Sequence, residues 1–105
     1  MKPYQLNIPT KIYFGRDIWE RTLKEAEPLL DGNLMLVTTG RSLTRIGYVE
    51  QLKKQLSACA RVKTITVFDK VSANPRLSEA REGIRLARES GADVVVGFGG
   101  GSAMD

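Results

Sequence analysis

The chain has 105 residues, 42% of them hydrophobic and 27% charged, which suits one globular domain around one core. Its net charge of +4 comes from 16 basic residues scattered among 12 acidic ones. That pattern argues against a nucleic-acid binder, which gathers Lys and Arg on one face. Histidine is absent, so the commonest metal ligand and acid–base group are missing, and a complete catalytic site is not expected within the chain.

The single cysteine, Cys59, has no intrachain disulfide partner, and no apolar run is long enough to cross a bilayer. No signal-peptide core follows Met1. These features together predict a cytoplasmic protein. Low-complexity tracts and internal repeats are absent too.

Taken in chain order, Tyr4, Leu6 and Ile8 alternate with polar residues, and Ile12-Tyr13-Phe14 follows a Pro9-Thr10 interruption. This predicts an N-terminal β-hairpin at a sheet edge, because Pro3 and Pro9 have no place in a central strand. Asp17 with Glu20 three residues on has the spacing of a capping box. The helix it would open places Trp19, Leu23, Ala26 and Leu30 on one stripe and ends near Pro28. Residues 31–33 (Asp-Gly-Asn) read as a turn.

Residues 34–37 form a continuous apolar run, the signature of a strand covered on both faces. Residues 42–57 are mostly helical, with Val49, Leu52 and Leu56 inward and Gly47 a break. Residues 62–68 are β-rich, and 69–74 read as a loop. Asn74 caps the next helix, with Pro75 at its first position; Leu77, Ala80, Ile84 and Ala87 form its buried stripe, and Gly91 ends it. Residues 93–98 are a last strand, followed at once by Gly99-Gly100-Gly101-Ser102. Cys59 is expected to be a small helix-terminal residue, and Trp19 and Tyr48 to serve packing.

Strands and helices alternate after the hairpin, so the strands should be parallel. The predicted fold is a three-layer, Rossmann-like parallel sheet, and three apolar strands make an incomplete domain.

The glycine run carries the chemistry. Without Cβ atoms a diphosphate can approach the backbone, and loop N–H groups and a helix N-terminus direct positive charge at it. The Ser102 hydroxyl adds a donor. A tight strand–helix turn is the plainer explanation of the same glycines. Neither the usual dinucleotide fingerprint nor the P-loop pattern is matched: serine stands where the third glycine belongs, and Ala103 where a lysine would. Gly40, Arg41 and Ser42 end the first buried strand with no acidic residue to take ribose hydroxyls. They leave room and donors for a 2′-phosphate, or Gly40 is a turn and Arg41 is solvated. Asn74 either caps a helix or also faces the cofactor cleft.

Four pieces in order, Ile12-Tyr13-Phe14-Gly15, Leu36-Val37-Thr38-Thr39-Gly40 with Leu43 and Gly47, Val67-Phe68-Asp69 through Asn74-Pro75, and Ala92-Asp93 through Asp105, resemble the iron-containing alcohol dehydrogenase family. The resemblance implies that residues 1–105 are an N-terminal NAD(P)-binding domain, truncated before the helical domain that holds iron or zinc. It implies hydride transfer between NAD(P) and a primary alcohol or its aldehyde. Gly100, Gly101 and Ser102 would bind the pyrophosphate, and Gly99, Asn74 and Asp105 would lie at the cofactor. Members with aspartate at the position of Gly40 prefer NAD, so Gly40 tilts the choice towards NADP. No residue of the chain is assigned to catalysis or to metal. A homo-oligomer is expected, with the hairpin a candidate for exchange between copies, and neither nucleic acid nor membrane as partner. Two other readings stay open: a stand-alone phosphate- or nucleotide-binding α/β module without catalysis, and a relative of the glycerol dehydrogenases.

Overall fold

A computed structural model describes residues 3, 5, 10–39, 47–72 and 76–99. Its elements are α1 (Trp19–Ala26), a 3-10 turn (Glu27–Leu29), β1 (Gly32–Thr39), α2 (Tyr48–Ser57), β2 (Val62–Val71), α3 (Leu77–Ser90) and β3 (Val94–Phe98).

The continuous apolar run became the central strand. The sheet order is β2-β1-β3, and β1 pairs in parallel with both neighbours. Its side chains alternate between two cores. Leu34 and Leu36 meet Val49, Leu52 and Leu56 of α2, with Leu30 and Cys59. On the other face Met35 joins Phe68 and Val71, backed by Leu86 and Ala87 of α3. A strand buried from both sides must be apolar at every position, which is why periodicity alone could not orient it. The three layers are thus as predicted.

β2 runs three residues further than expected, through Val71. Its register advances from Val37↔Phe68 to Thr39↔Val71, so one extra residue bulges on β2. The bulge puts Phe68 and Val71 on one face and leaves Lys70 exposed. Strict alternation would have buried the lysine, so residues 69–71 read as a loop.

Four further expectations are corrected. Residues 10–14 carry no strand, and Ile12 and Phe14 are 84% and 96% exposed; a strand without a partner gains no ladder hydrogen bonds, and most of its expected partner lies outside the described residues. Asp17 is not a cap: it sits at φ 52°, a left-handed position that Asp tolerates, and Ile18 occupies the N-cap. Gly32 and Asn33 open β1 rather than forming a turn.

The inward face of α3 is also rotated from the predicted stripe. Leu77 and Ile84 are 67% and 52% exposed, while Gly83, Leu86 and Ala87 turn inward. A Cβ on Gly83 would stand 3.4 Å from the Phe68 ring, so the missing side chain lets the helix approach the sheet there. Two more expectations fail: Arg76, not Asn74, is the N-cap of α3, which starts at Leu77 and not at Pro75, and α1 buries none of its residues, Trp19 being 43% exposed. As expected, α1 stops before Pro28, Gly47 precedes α2, and Gly91 caps α3.

Candidate functional site

Because all three strands are parallel, their carboxyl ends share one edge. Thr39, Ser72 and Gly99 lead from it into the segments that carry the predicted site residues. The chain passes from β1 through α2 to β2 on one side, then through α3 to β3 on the other. The order β2-β1-β3 therefore places the switch point between β1 and β3. Ligands of open α/β sheets bind in the crevice at such a point.

Here Thr38 of β1 lies opposite Phe98 of β3. Thr38 is wholly buried, and its Oγ1 has no hydrogen-bond partner among the described residues. Gly99 follows at φ 133°, a conformation that side-chain-bearing residues avoid. Of the predicted site residues only Gly99 is among those described. Gly40, Arg41, Ser42, Asn74, Gly100, Gly101, Ser102 and Asp105 lie outside them.

Sequence reasoning missed Glu79. Its Oε2 accepts hydrogen bonds from the Ser72 N–H and hydroxyl, both at 3.1 Å, and from the Arg76 N–H at 3.4 Å. These bonds, led by that from the Ser72 N–H, hold its carboxyl below the ordinary carboxylate range. The available signal was an acid three residues past the true N-cap, Arg76, giving half of a capping box.

Beside the same edge, a groove of about 310 Å³ is lined by Trp19, Tyr48, Gln51, Leu52, Gln55 and Phe98. The Trp19 Nε1–H donates to Gln55 Oε1 at 2.7 Å and links α1 to α2 at an exposed site; Trp19 and Tyr48 are 43% and 51% exposed, so neither is the buried packing residue expected. Burial raises the pKa of the Cys59 thiol, so it is no activated nucleophile. No group of three or more potential ligands among the described residues could hold a metal ion. Among the described residues no donors fit the iron or zinc that the resemblance implies.

Fold and switch point together define a Rossmann-like α/β domain. The profile of the family named "Iron-containing alcohol dehydrogenase" matches residues 9–105. NADH-dependent butanol dehydrogenase B of Clostridium acetobutylicum is 31% identical over 110 residues, covering 100% of this chain and 26% of its own length. The bifunctional aldehyde-alcohol dehydrogenase of Escherichia coli (strain K12) is 40% identical over 99 residues, covering 93% of this chain and 11% of its own.

Among solved structures, sulfoacetaldehyde reductase from Bifidobacterium kashiwanohense in complex with NAD+ superposes with a TM-score of 0.74 at 27% identity. It covers 98% of this chain and 26% of that one. The chain belongs to the iron-containing alcohol dehydrogenase family. It spans about a quarter, or less, of the length of the relatives it matches.

Proposed function

We propose that this chain is the dinucleotide-binding part of a metal-dependent alcohol dehydrogenase, with the cofactor held in the crevice between β1 and β3. The observation that carries this is the switch point itself: β3, a half-exposed strand paired in parallel with the buried β1, runs into Gly99, the first of three glycines followed by Ser102, at the carboxyl edge of the sheet. Gly100, Gly101 and Ser102 bind the pyrophosphate through main-chain N–H groups and one hydroxyl, while Asn74 and Asp105 flank it. Family membership and the NAD+ carried by the structural neighbour support the assignment.

The cofactor supplies hydride acceptance at its nicotinamide ring, from the carbon of a primary alcohol, with the reverse reaction reducing the aldehyde. The chain's own residues bind and orient it. Gly40, Arg41 and Ser42 lack an acid that would repel a 2′-phosphate, which tilts the choice to NADP. The relative butanol dehydrogenase B of Clostridium acetobutylicum is NADH-dependent, which weighs towards NADH. The assignment to the cytoplasm and to a homo-oligomer belongs to the same proposal. No helix among the described residues is long and apolar enough to cross a membrane.

Fluorescence titration of the intact chain with NADH and NADPH tests the reading. The expected result is a Kd below about 1 mM for at least one of them, abolished by Gly101→Val, with folding unchanged by circular dichroism. A folded chain that binds neither, or a Gly101→Val variant that binds as well as the parent, overturns it. Tighter NADH than NADPH overturns the Gly40 argument alone. The absence of histidine favours a second reading, a binding module without catalysis; a reading frame that stops at Asp105 would select it, and one that continues into a region with clustered histidines would exclude it.

A further inference from the structure

We propose that the groove between α1 and α2 is a ring pocket: it binds a neutral, planar nitrogen heterocycle bearing an amino or carboxamide group, the chemistry shared by the two ends of a dinucleotide. The inference rests on the reading that the carboxyl edge holds the dinucleotide, and it names where one of the rings lies. Among the described residues the groove is lined by Trp19, Tyr48, Gln51, Leu52, Gln55 and Phe98 and has a volume of about 310 Å³. That volume stands at the lower limit for small-molecule clefts, so it admits a ring system and not a whole dinucleotide.

The lining selects the ligand. None of the six residues is charged, so a phosphate or carboxylate would lose hydration with no cation to replace it. Trp19, Tyr48 and Phe98 are aromatic, and Trp19 and Tyr48 are 43% and 51% exposed, leaving aromatic surface that a flat ring can cover. Trp19 is already held: its Nε1–H donates to Gln55 Oε1 at 2.7 Å, so less side-chain freedom is lost on binding. With that oxygen engaged, the Gln55 amide still has N–H donors, and Gln51, one turn earlier on α2, brings a second amide. Such groups match a ring edge that carries its own donors and acceptors.

Position joins the groove to the cofactor. α2 returns the chain from the carboxyl edge of β1 to the amino edge of β2, so Tyr48, its first residue, stands at the carboxyl edge. Phe98 ends β3 and directly precedes Gly99.

The test titrates the intact chain with ADP-ribose and with nicotinamide mononucleotide, which carry one ring each. Trp19 is the only tryptophan, so its fluorescence reads the groove directly. A saturable change with at least one of them is expected, and the tighter of the two names the ring. A change with neither, in a chain that binds NADH, overturns the inference. By calorimetry, the NADH Kd is expected to rise about tenfold for Trp19→Ala and about threefold for Gln51→Leu. Trp19→Phe keeps an aromatic face without the bond to Gln55 and should stay within about twofold of the parent. A tryptophan that served only to clasp α1 to α2 would make the Phe variant as weak as the Ala variant, and that result also overturns the inference. Arg85→Gln, at an exposed position of α3 on the other face of the sheet, should leave affinity unchanged.

Should Trp19→Ala fail to fold, Tyr48→Ala and Gln51→Leu decide, since both residues are exposed; parental affinity in both is fatal. A chain that binds NADH with every groove variant neutral loses the ring pocket and keeps the cofactor reading. A folded chain that binds neither NADH nor NADPH loses both.

Discussion

The two ends of the same three strands are built for different tasks. At the amino edge every prominent polar group closes on protein. The Asn33 N–H donates to Asp93 Oδ2 at 2.9 Å and the Asp93 N–H to the Asn33 carbonyl at 2.8 Å. The Asn33 amide donates to the Gly91 carbonyl, and its oxygen accepts from the Thr64 hydroxyl. Neighbouring Gly32 leaves no space for a Cβ beside the Asp93 carboxylate. At the carboxyl edge the Glu79 carboxylate joins Ser72 to Arg76, while the Thr38 hydroxyl is buried without a partner among the described residues and Gly99 holds a glycine-only conformation. The amino edge is thus tied strand to strand, and the carboxyl edge keeps a buried hydroxyl unmatched at the switch point. A sheet can sustain an open ligand edge because the opposite edge and the two cores hold the strands in register.

The largest expected effect tests the shared support. Leu36 is fully buried in the central strand. Leu36→Ala should cost about 2–5 kcal/mol of unfolding free energy in urea titration and damage both edges together; a loss below 1 kcal/mol would mean that the core relaxes around the gap.

Next comes the amino edge. Asp93→Ala removes the acceptor for the Asn33 N–H at a partly solvated site and should cost about 1–2 kcal/mol, with cofactor affinity unaltered. Weaker cofactor binding in this variant would break the division between the edges.

Thr38→Val should raise stability by about 1 kcal/mol, since it deletes a buried hydroxyl without a partner among the described residues and keeps the shape. A loss of stability would show that the hydroxyl is satisfied after all.

The smallest effect is a pH dependence. The Glu79 carboxyl lies below its ordinary value, chiefly through the Ser72 hydrogen bonds and secondarily through Arg76. A depressed folded pKa means that its contribution is complete above the unfolded value and lost as pH falls through the folded one. The thermal stability difference between the chain and its Glu79→Gln variant should therefore shrink on acidification through and below the ordinary glutamate range. A difference that grows with acid would reverse the assigned sign.

Much of the fold was legible from residue type. The run through Leu34 and Leu36 marked the central strand, and Pro28, Gly47 and Gly91 punctuated the helices because their backbone preferences act locally. The glycine run ending at Ser102 pointed to a phosphate site for the same local reason. Legibility failed wherever a partner decided the outcome. The bulge that carries β2 to Val71 depends on Thr39 across the ladder. The inward face of α3 was decided by the Phe68 ring under Gly83, not by where Leu77 and Ile84 recur. Glu79 looked like one more surface acid, because its hydrogen bonds to Ser72 exist only once β2 and α3 meet.

By itself, then, the amino-acid sequence determined the alternation of strand and helix and their approximate limits. Each of those follows from backbone conformation and hydrophobic period within a few neighbouring residues. Only the tertiary structure decided that β1 lies between β2 and β3, so that the switch point falls where Thr38 pairs with Phe98 ahead of Gly99, and that Glu79 reaches back to Ser72. Strand order and side-chain ties are set by packing between residues distant in the chain, which no local pattern encodes.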